Sequence, residues 1–343
     1  MLNTLSPRAM VARTLTRRRR EALILALFGA SACVHAQAPA DPAAAAYHQV
    51  DRPALASAHA SEGMLLGATR AGKRIVAVGD HGTVVLSDDD GKTFRQARQV
   101  PVRAMLNAVS FVDDKHGWAV GHRGVILATE DGGDTWKLQR EDLDKDQPLF
   151  SVLFVDGQTG WACGLWSLLL HTRDGGKTWN PVDLPAPEGA KRADRNLYSL
   201  FADRKGGLFI AAEQGRVLHS ADQGASWEYL DTGYKGSLWT GTVLSDGTLM
   251  VGGLRGAIYR SGDGGRHWMQ VKVDTLSSIT AFADGKAGLY AAALDGVVLR
   301  STDHGSGFSV SQRPDRLPLT ALVPGDDGHP VLFSKAGVLH DLK

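Results

Sequence analysis

The chain has 343 residues, of which 43% are hydrophobic and 22% charged, with a formal net charge of +1. This is ordinary globular composition, and a near-neutral chain has no overall field that favours nucleic acid or an anionic surface. We therefore expect no nucleic-acid partner. Beyond the first forty residues, no apolar run approaches the ~18 residues that a membrane span needs.

The N-terminus has the pattern of a secretory signal peptide. Residues 17–20 are all arginine, residues 22–32 are apolar or small, and Ala36-Gln37-Ala38 supplies small residues before a cleavage site. We expect residues 1–38 to be removed and residues 39–343 to be periplasmic or otherwise extracytoplasmic. Lipoprotein processing at Cys33 is the alternative, so soluble and lipid-anchored forms both stay open.

Cysteine use fits an exported protein without a disulfide. After cleavage at Ala38 only Cys163 remains, so no intrachain bridge can form. Cys163 lies in an apolar run, and we expect a small buried core residue rather than a nucleophile.

One pattern, Ser/Thr-x-Asp-x-Gly-x-x-(Trp/Phe), occurs six times at steps of 42, 43, 48, 41 and 40 residues. Such a period is typical of a propeller or another repeat array, because one unit cannot bury its own apolar face. The aspartates are Asp89, Asp131, Asp174, Asp222, Asp263 and Asp303. The closing aromatic residues are Phe94, Trp136, Trp179, Trp227, Trp268 and Phe308.

Short apolar runs bounded by glycine precede each motif and predict strands. Four strands of decreasing burial per ~42 residues make a propeller blade. Removal of residues 1–38 leaves 305, about seven units of this length. Three further strand-like runs follow the sixth motif, so we predict an all-β, seven-bladed propeller. We expect residues 47–51 to supply the outer strand of the last blade; six blades with an N-terminal extension is the alternative.

The repeated aspartates are predicted to be structural. An aspartate two residues before a glycine in a tight hairpin can accept N–H bonds across its own turn. Six carboxylates spread around one rim cannot converge on a single metal ion. We therefore expect no cofactor and no metal at these positions, with the Trp and Phe side chains packing between neighbouring blades.

The repeat resembles the Asp-box, or BNR repeat, of sialidases, some glycoside hydrolases and sortilin-type receptors. In those folds the Asp-box turns lie on the rim away from the active face. The resemblance therefore implies a functional surface on the opposite face, built from the turns between second and third strands and from the connections between blades.

A longer resemblance, to the photosystem II stability/assembly factor family, rests on residues 111–136. These combine a Phe-Val-Asp lead-in with Gly-Trp-Ala-Val-Gly and an Asp-box, and the pattern returns at residues 154–164 and 172–179. The likeness covers roughly residues 65–342 and is strongest in the second and third blades. It implies an exported seven-bladed propeller that holds membrane-protein intermediates during assembly, partly through arginines, but it specifies no client.

The turns on the opposite face differ between blades although their spacing is fixed, as expected of a binding surface and equally of unconstrained solvent-facing turns. Arginine and exposed aromatic residues most often anchor protein interfaces. By residue type and placement, the predicted partner contacts are Arg123, Trp166, Arg195, Tyr234, Arg255 and Arg316. The turn histidines His81 and His122 have no third ligand at metal spacing, so we expect them to be solvated.

Catalytic motifs are missing from the sequence. It has no Arg-Ile-Pro motif of sialidases, no Gly-x-Ser-x-Gly elbow, no His-Glu-x-x-His motif and no phosphate loop. Asp80, Glu213 and Asp295 could converge on the propeller axis, but nothing pairs them as a glycosidase requires. We expect a monomeric, non-catalytic scaffold that binds a membrane-associated protein or envelope complex. A carbohydrate-active Asp-box enzyme and a glycan-binding module are the alternatives.

Overall fold

Seven antiparallel sheets follow one another along the chain in the computed structural model, which describes residues 52–339. Six sheets have four strands, and the seventh has three described strands. Every sheet contains only strands that are consecutive in sequence, as expected of propeller blades. The predicted seven-bladed, all-β propeller is confirmed. The described residues all lie in the compact unit Ala43–Lys343.

The strands of the first four blades have the following bounds. They are β1 (Leu65–Ala71), β2 (Arg74–Gly79), β3 (Val84–Ser87), β4 (Arg95–Gln96), β5 (Leu106–Phe111), β6 (Gly117–Gly121), β7 (Ile126–Thr129), β8 (Lys137–Arg140), β9 (Leu149–Phe154), β10 (Gly160–Gly164), β11 (Leu169–Thr172), β12 (Asn180–Pro181), β13 (Leu197–Ala202), β14 (Leu208–Ala212), β15 (Arg216–Ser220) and β16 (Glu228–Asp231).

The last three blades complete the ring, and single-turn 3-10 helices join second to third strands in five blades. The strands are β17 (Leu238–Val243), β18 (Leu249–Gly253), β19 (Ile258–Ser261), β20 (Met269–Gln270), β21 (Ile279–Gly285), β22 (Gly288–Ala293), β23 (Val297–Ser301), β24 (Ser309–Gln312), β25 (Leu319–Pro324), β26 (Pro330–Ser334) and β27 (Gly337–Leu339). The 3-10 helices are Ala60–Glu62, which precedes β1, and Asp80–Gly82, His122–Gly124, Leu165–Ser167, Glu213–Gly215 and Leu254–Gly256.

The core lies between adjacent blades rather than within one. All five residues of β6 are buried, whereas the short outer strand β12 is exposed. One apolar cluster joins Val76 and Leu86 of the first blade to Leu127 and Trp136 of the second. Trp136, the motif tryptophan of the second blade, thus packs among residues of both blades.

The first and seventh blades also pack directly on each other. A single apolar cluster contains Leu65 and Ile75 of the first blade and Val323 and Phe333 of the seventh. The Thr320 hydroxyl donates to the Leu65 carbonyl oxygen (2.5 Å). The predicted closing strand, residues 47–51, lies outside the described residues. Within them, β27 is the outermost strand of its sheet.

Among residues 52–339, no helix has the length and apolar character needed to cross a membrane.

Candidate partner-binding face

The six Asp-box turns share one hydrogen-bond pattern. In the second blade Thr129 Oγ1 donates to Asp131 Oδ1 (2.9 Å). The Thr135 N–H and hydroxyl donate to the two oxygens of the same carboxylate (2.9 and 2.7 Å), and the Gly133 N–H donates to Thr129 Oγ1 (3.0 Å). Similar bonds to the carboxylate hold Asp89, Asp174, Asp222, Asp263 and Asp303. These bonds use the carboxylates within their own turns, which supports the predicted structural role.

The same donors lower the pKa of the box carboxylates. The side-chain and backbone donors of Thr93 lower the pKa of Asp89 to about 2. Equivalent donors from Thr178 and Ser226 lower the pKa of Asp174 and Asp222 to about 2. A general acid at neutral pH needs a raised pKa, so these carboxylates are tuned in the opposite direction.

The face opposite the Asp-box turns, which we call the turn face, brings together three kinds of segment. The Asp80 N–H donates to the Met64 carbonyl (3.0 Å), and the Leu254 N–H donates to the Ser237 carbonyl (3.0 Å). Each bond joins a turn between second and third strands to the residue just before an innermost strand. The turns, the starts of the innermost strands and the connections between blades therefore share this face.

The second residue of this turn has a left-handed backbone in six blades. Its φ lies between 54° and 59° at His81, Arg123, Trp166, Gln214, Arg255 and Asp295. L-residues rarely adopt this conformation, which costs on the order of 1 kcal/mol or more for a bulky side chain. Glycine would remove that cost, yet glycine occurs at none of the six positions. Strain of this kind is often retained where the side chain has a function.

The structure places all six predicted contact residues on the turn face. Arg123, Trp166 and Arg255 occupy the second position of their turns. The other three lie in blade connections that touch a turn: the Ser167 N–H donates to the Arg195 carbonyl (2.7 Å), the Tyr234 carbonyl lies against Gly215, and Arg316 lies against Gly296. Arg255 and Arg316 are exposed, Arg123 is half-buried, and the Trp166 residue is 61% exposed.

The side chains of Tyr234 and Arg195 already make hydrogen bonds within the protein. The Tyr234 hydroxyl donates to the Leu254 carbonyl (2.8 Å), and its ring packs against Tyr259 with centroids 5.7 Å apart. The Arg195 Nη1 donates to Asp194 (3.2 Å). Trp166, Arg255 and Arg316 are therefore the most accessible candidates of the predicted set.

A ring of side chains that the sequence analysis did not single out surrounds the start of the innermost strands. In every blade, the second residue of the innermost strand has no partner on the neighbouring strand. This residue forms a β-bulge. Innermost strands line the central channel of a propeller. We call these seven half-buried residues the mouth ring: Leu66, Asn107, Phe150, Tyr198, Trp239, Thr280 and Thr320. A signal was present, because each follows a buried Leu or Ile that begins the strand.

A polar network connects the third and fourth blades at this mouth. The Trp166 N–H donates to Asn196 Oδ1 (3.0 Å), and the Asn196 N–H and Nδ2 donate to the two oxygens of Glu213 (3.0 and 2.9 Å). The Tyr198 hydroxyl donates to Glu213 Oε1 (3.3 Å), and the Tyr198 ring stacks on Phe150 at 5.7 Å. The network fixes Glu213 beside the aromatic part of the mouth ring.

Other chemistry-bearing groups on this face have local partners. His81 Nδ1 lies 2.9 Å from Asp80 Oδ2, and the Ser277 hydroxyl donates to Asp295 (3.0 Å). Within residues 52–339, no group of three or more His, Cys, Asp or Glu side chains is arranged to hold a metal ion. The Cys163 thiol is buried, and burial raises its pKa, as expected of an inert core cysteine.

Comparison with known proteins shows what this chain is similar to. A family described as "Photosynthesis system II assembly factor YCF48" matches residues 96–189. The photosystem II assembly lipoprotein Ycf48 of a Synechococcus species is 32% identical over 184 residues, 53% of this chain and 41% of that protein. The chloroplastic photosystem II stability/assembly factor HCF136 of Cyanidioschyzon merolae is 40% identical over 53 residues, 15% of this chain and 12% of that protein.

The chain is a propeller that resembles the photosystem II assembly factors. Its matched segments span less than half the length of these curated relatives. A structure of YCF48 bound to a D1 peptide aligns with a TM-score of 0.63 at 18% identity, covering 81% of this chain and 92% of that one. A streptogramin B lyase aligns with a TM-score of 0.67 at 14% identity, covering 81% and 93%. At such identities the structural matches establish the fold alone.

Proposed function

We propose that the protein is a non-catalytic scaffold, an assembly factor that binds a membrane-associated protein through its turn face. One observation carries the proposal: on a frame of fixed spacing, six left-handed turn positions hold six side chains, none of them glycine. Trp166, one of these, is 61% exposed. A surface selected only for stability would favour glycine at those positions.

The names of the relatives support the same reading. Both curated relatives are named photosystem II assembly factors, and one aligned structure is a YCF48 bound to a D1 peptide. The aligned structure is thus a propeller of the same fold that binds a peptide. We expect the client of the present chain to be a membrane-associated protein or complex.

An enzyme is the competing proposal, since a lyase has the same fold. A glycosidase needs two carboxylates that face each other about 5–9.5 Å apart across the substrate. Here Asp80, Glu213 and Asp295 come from three different blades, and each is hydrogen-bonded within its own part of the ring. We favour binding over catalysis on this ground. A chromogenic glycoside screen and a glycan array test the enzyme and the glycan-binding module directly.

We further propose export, with cleavage after Ala38, and a monomeric mature protein. The signal segment lies outside the described residues, and the name lipoprotein given to the Synechococcus relative supports an extracytoplasmic location. Intact mass spectrometry of the mature protein tests both forms. A mass beginning at Pro39 supports the soluble form, whereas a diacylated Cys33 start establishes the lipid-anchored one. An uncleaved N-terminus contradicts export.

In-cell crosslinking and affinity capture test the binding face. Arg255→Glu and Arg316→Glu reverse the charge of two exposed side chains on the turn face. Arg300→Glu is the matched control. Arg300 is exposed, directly precedes the Asp-box turn of its blade, and donates to the Ala287 carbonyl (3.0 Å), so it lies on the opposite side from the turn face. We expect the partner set to be lost in the two turn-face variants and retained in the control. An unchanged partner set in both turn-face variants contradicts the proposal.

A further inference from the structure

The aromatic residues of the mouth ring lie on one side of it. Three consecutive blades contribute aromatic residues, Phe150, Tyr198 and Trp239, which we call the aromatic sector. The other four blades contribute Leu66, Asn107, Thr280 and Thr320. The bulge that exposes these residues is common to all seven blades, so the fold does not require aromatic side chains there. The threonine positions show that a small residue satisfies the same backbone geometry.

The small polar members of the ring make hydrogen bonds to the innermost strand of the next blade, whereas two of the aromatic members stack on each other through their rings. Asn107 Nδ2 donates to the Leu149 carbonyl (2.8 Å), and the Thr280 hydroxyl donates to the Leu319 carbonyl (3.0 Å). Each ties one innermost strand to the next. Phe150 and Tyr198 instead stack on each other, with an interplanar angle of 20°. Half-buried aromatic rings at the mouth of a channel leave ring area for a ligand.

A carboxylate stands at the edge of the aromatic sector. Glu213 accepts three hydrogen bonds, two from Asn196 and one from Tyr198. A carboxylate offers about four acceptor positions, so one on Oε2 is left for a ligand. Within the described part of the chain, no Lys or Arg forms an ion pair with Glu213. The three donors are neutral, so the negative charge is held in place without being compensated.

The electrostatics of the mouth therefore favour a cation. Aromatic faces carry a negative quadrupole and attract Lys, Arg or quaternary ammonium groups. The carboxylate of Glu213 adds a full charge of the same sign, and none of the seven ring residues is basic. The exposed cations Arg255 and Arg316 also lie on the turn face, but neither is a member of the mouth ring. A ligand segment with one basic group matches the aromatic sector and Glu213, and neutral or acidic residues on either side of that group match the exposed arginines.

We propose that the aromatic sector and Glu213 together bind a Lys or Arg side chain of an extended client segment that lies across the mouth of the channel. This inference rests on the proposed scaffold function and names the client group that the site selects. The Asn196 network gives the site its rigidity, because it fixes the Glu213 carboxylate and the Trp166 turn with the same side chain. Trp166 then flanks the site as an apolar contact for the neighbouring client residue.

Short peptides test the selectivity without knowledge of the client. The mature protein is titrated by NMR with acetyl-Gly-Gly-X-Gly-Gly-amide, where X is lysine, arginine, norleucine or glutamate. We expect the lysine and arginine peptides to bind about tenfold more tightly than the norleucine peptide, a difference of ~1.4 kcal/mol. The glutamate peptide is expected to bind least. Equal affinity for lysine and norleucine peptides overturns the inference.

Matched variants locate the effect. Glu213→Gln keeps the size of the side chain and removes its charge, and Trp239→Leu removes one aromatic face; both are expected to bring the lysine preference close to one. Asp80→Asn is the control, because Asp80 occupies the same turn position in the first blade, beside Leu66 rather than an aromatic residue. An equal loss in the Asp80→Asn variant overturns the assignment to Glu213.

Two further measurements separate the remaining outcomes. Tyr198→Phe keeps the ring and removes one hydrogen bond to Glu213, so a partial loss is expected even if Trp239→Leu perturbs folding. Thermal denaturation identifies variants that fail to fold. If the protein binds phosphatidylcholine vesicles and shows no preference for the lysine peptide, the mouth binds a lipid headgroup and the inference is overturned. The two proposals can fail separately. If partner capture depends on Arg255 and Arg316 but the peptide titration shows no preference for lysine, the scaffold function stands and only the cation site is refuted.

Discussion

The Arg70 guanidinium donates two hydrogen bonds to the Pro324 carbonyl oxygen, from Nε at 3.0 Å and Nη2 at 2.7 Å. The two residues are 254 positions apart and belong to the first and seventh blades. The same guanidinium pairs with Asp90, whose other carboxylate oxygen accepts the Asp326 N–H (2.8 Å). On the Asp-box side, the ring is thus closed by a polar clasp that lies beside the apolar cluster of the two blades.

Removal of the clasp should destabilise the whole ring. The side chains of Arg70 and Asp90 are 23% and 24% exposed, and a hydrogen bond to a charged group contributes ~1.5–3 kcal/mol net. We expect Arg70→Ala to lower the free energy of unfolding by about 2 kcal/mol, measured by urea denaturation. Arg300→Ala is the control, since Arg300 bonds only within its own blade and is exposed. Equal losses in the two variants contradict a closing role for Arg70.

Acid should unfold the propeller through its box carboxylates. Asp89, Asp174 and Asp222 have a pKa of about 2 in the folded chain against an ordinary 3.8. A lowered folded pKa stabilises the fold above the unfolded value, and that contribution is lost as the pH falls from about 4 to about 2. Urea midpoints measured from pH 7 to pH 2 should therefore fall most steeply in this window. Asp174→Asn should flatten the fall, whereas Asn at the exposed connection residue Asp144 should not.

The motif tryptophans should differ in their effect on stability according to burial. Trp136 is 2% exposed, and its Nε1 donates to the Gly133 carbonyl (2.8 Å), whereas Trp268 is only half-buried. Truncation of a buried tryptophan costs ~3–5 kcal/mol. We expect Trp136→Ala to fall in that range and Trp268→Ala to cost clearly less, as measured by chemical denaturation. Equal costs contradict the interblade packing described for Trp136.

The sequence carried most of the fold because the repeat is local. The spacing of Asp89, Asp131 and the other motif aspartates gives the blade length. Glycines in the sequence mark the ends of the apolar runs that form the strands. The predicted four strands per blade are present in six blades, and the seventh blade has three described strands. Periodicity and turn chemistry suffice for this level.

The site was less accessible to sequence reasoning, for a physical reason. Its key relationships join residues from different blades, such as Trp166 with Asn196 and Phe150 with Tyr198. The bulge shifts the pairing by one residue, and the buried Leu or Ile before each ring residue marks the start of the strand without showing which residue leaves the ladder. Arg70 and Pro324 meet only because the ring closes. The repeat predicts that the six contact residues lie on the turn face. It does not predict which of their side chains already form hydrogen bonds within the protein.

The turn at Trp166 offers a test that separates function from stability. Trp166 and Ser167 both have a positive φ, 54° and 59°, and the five other blades with a left-handed turn have glycine at the position of Ser167. Glycine at residue 166 removes backbone strain of about 1 kcal/mol and only an exposed ring, so we expect Trp166→Gly to be as stable as the wild type or more so. Client capture should fall at the same time, because the ring is lost from the turn face. Gln214→Gly makes the same backbone change one blade further on and should retain capture. A destabilised Trp166→Gly protein, or one that captures its client as well as the wild type does, shows that the ring serves the fold or has no role in binding.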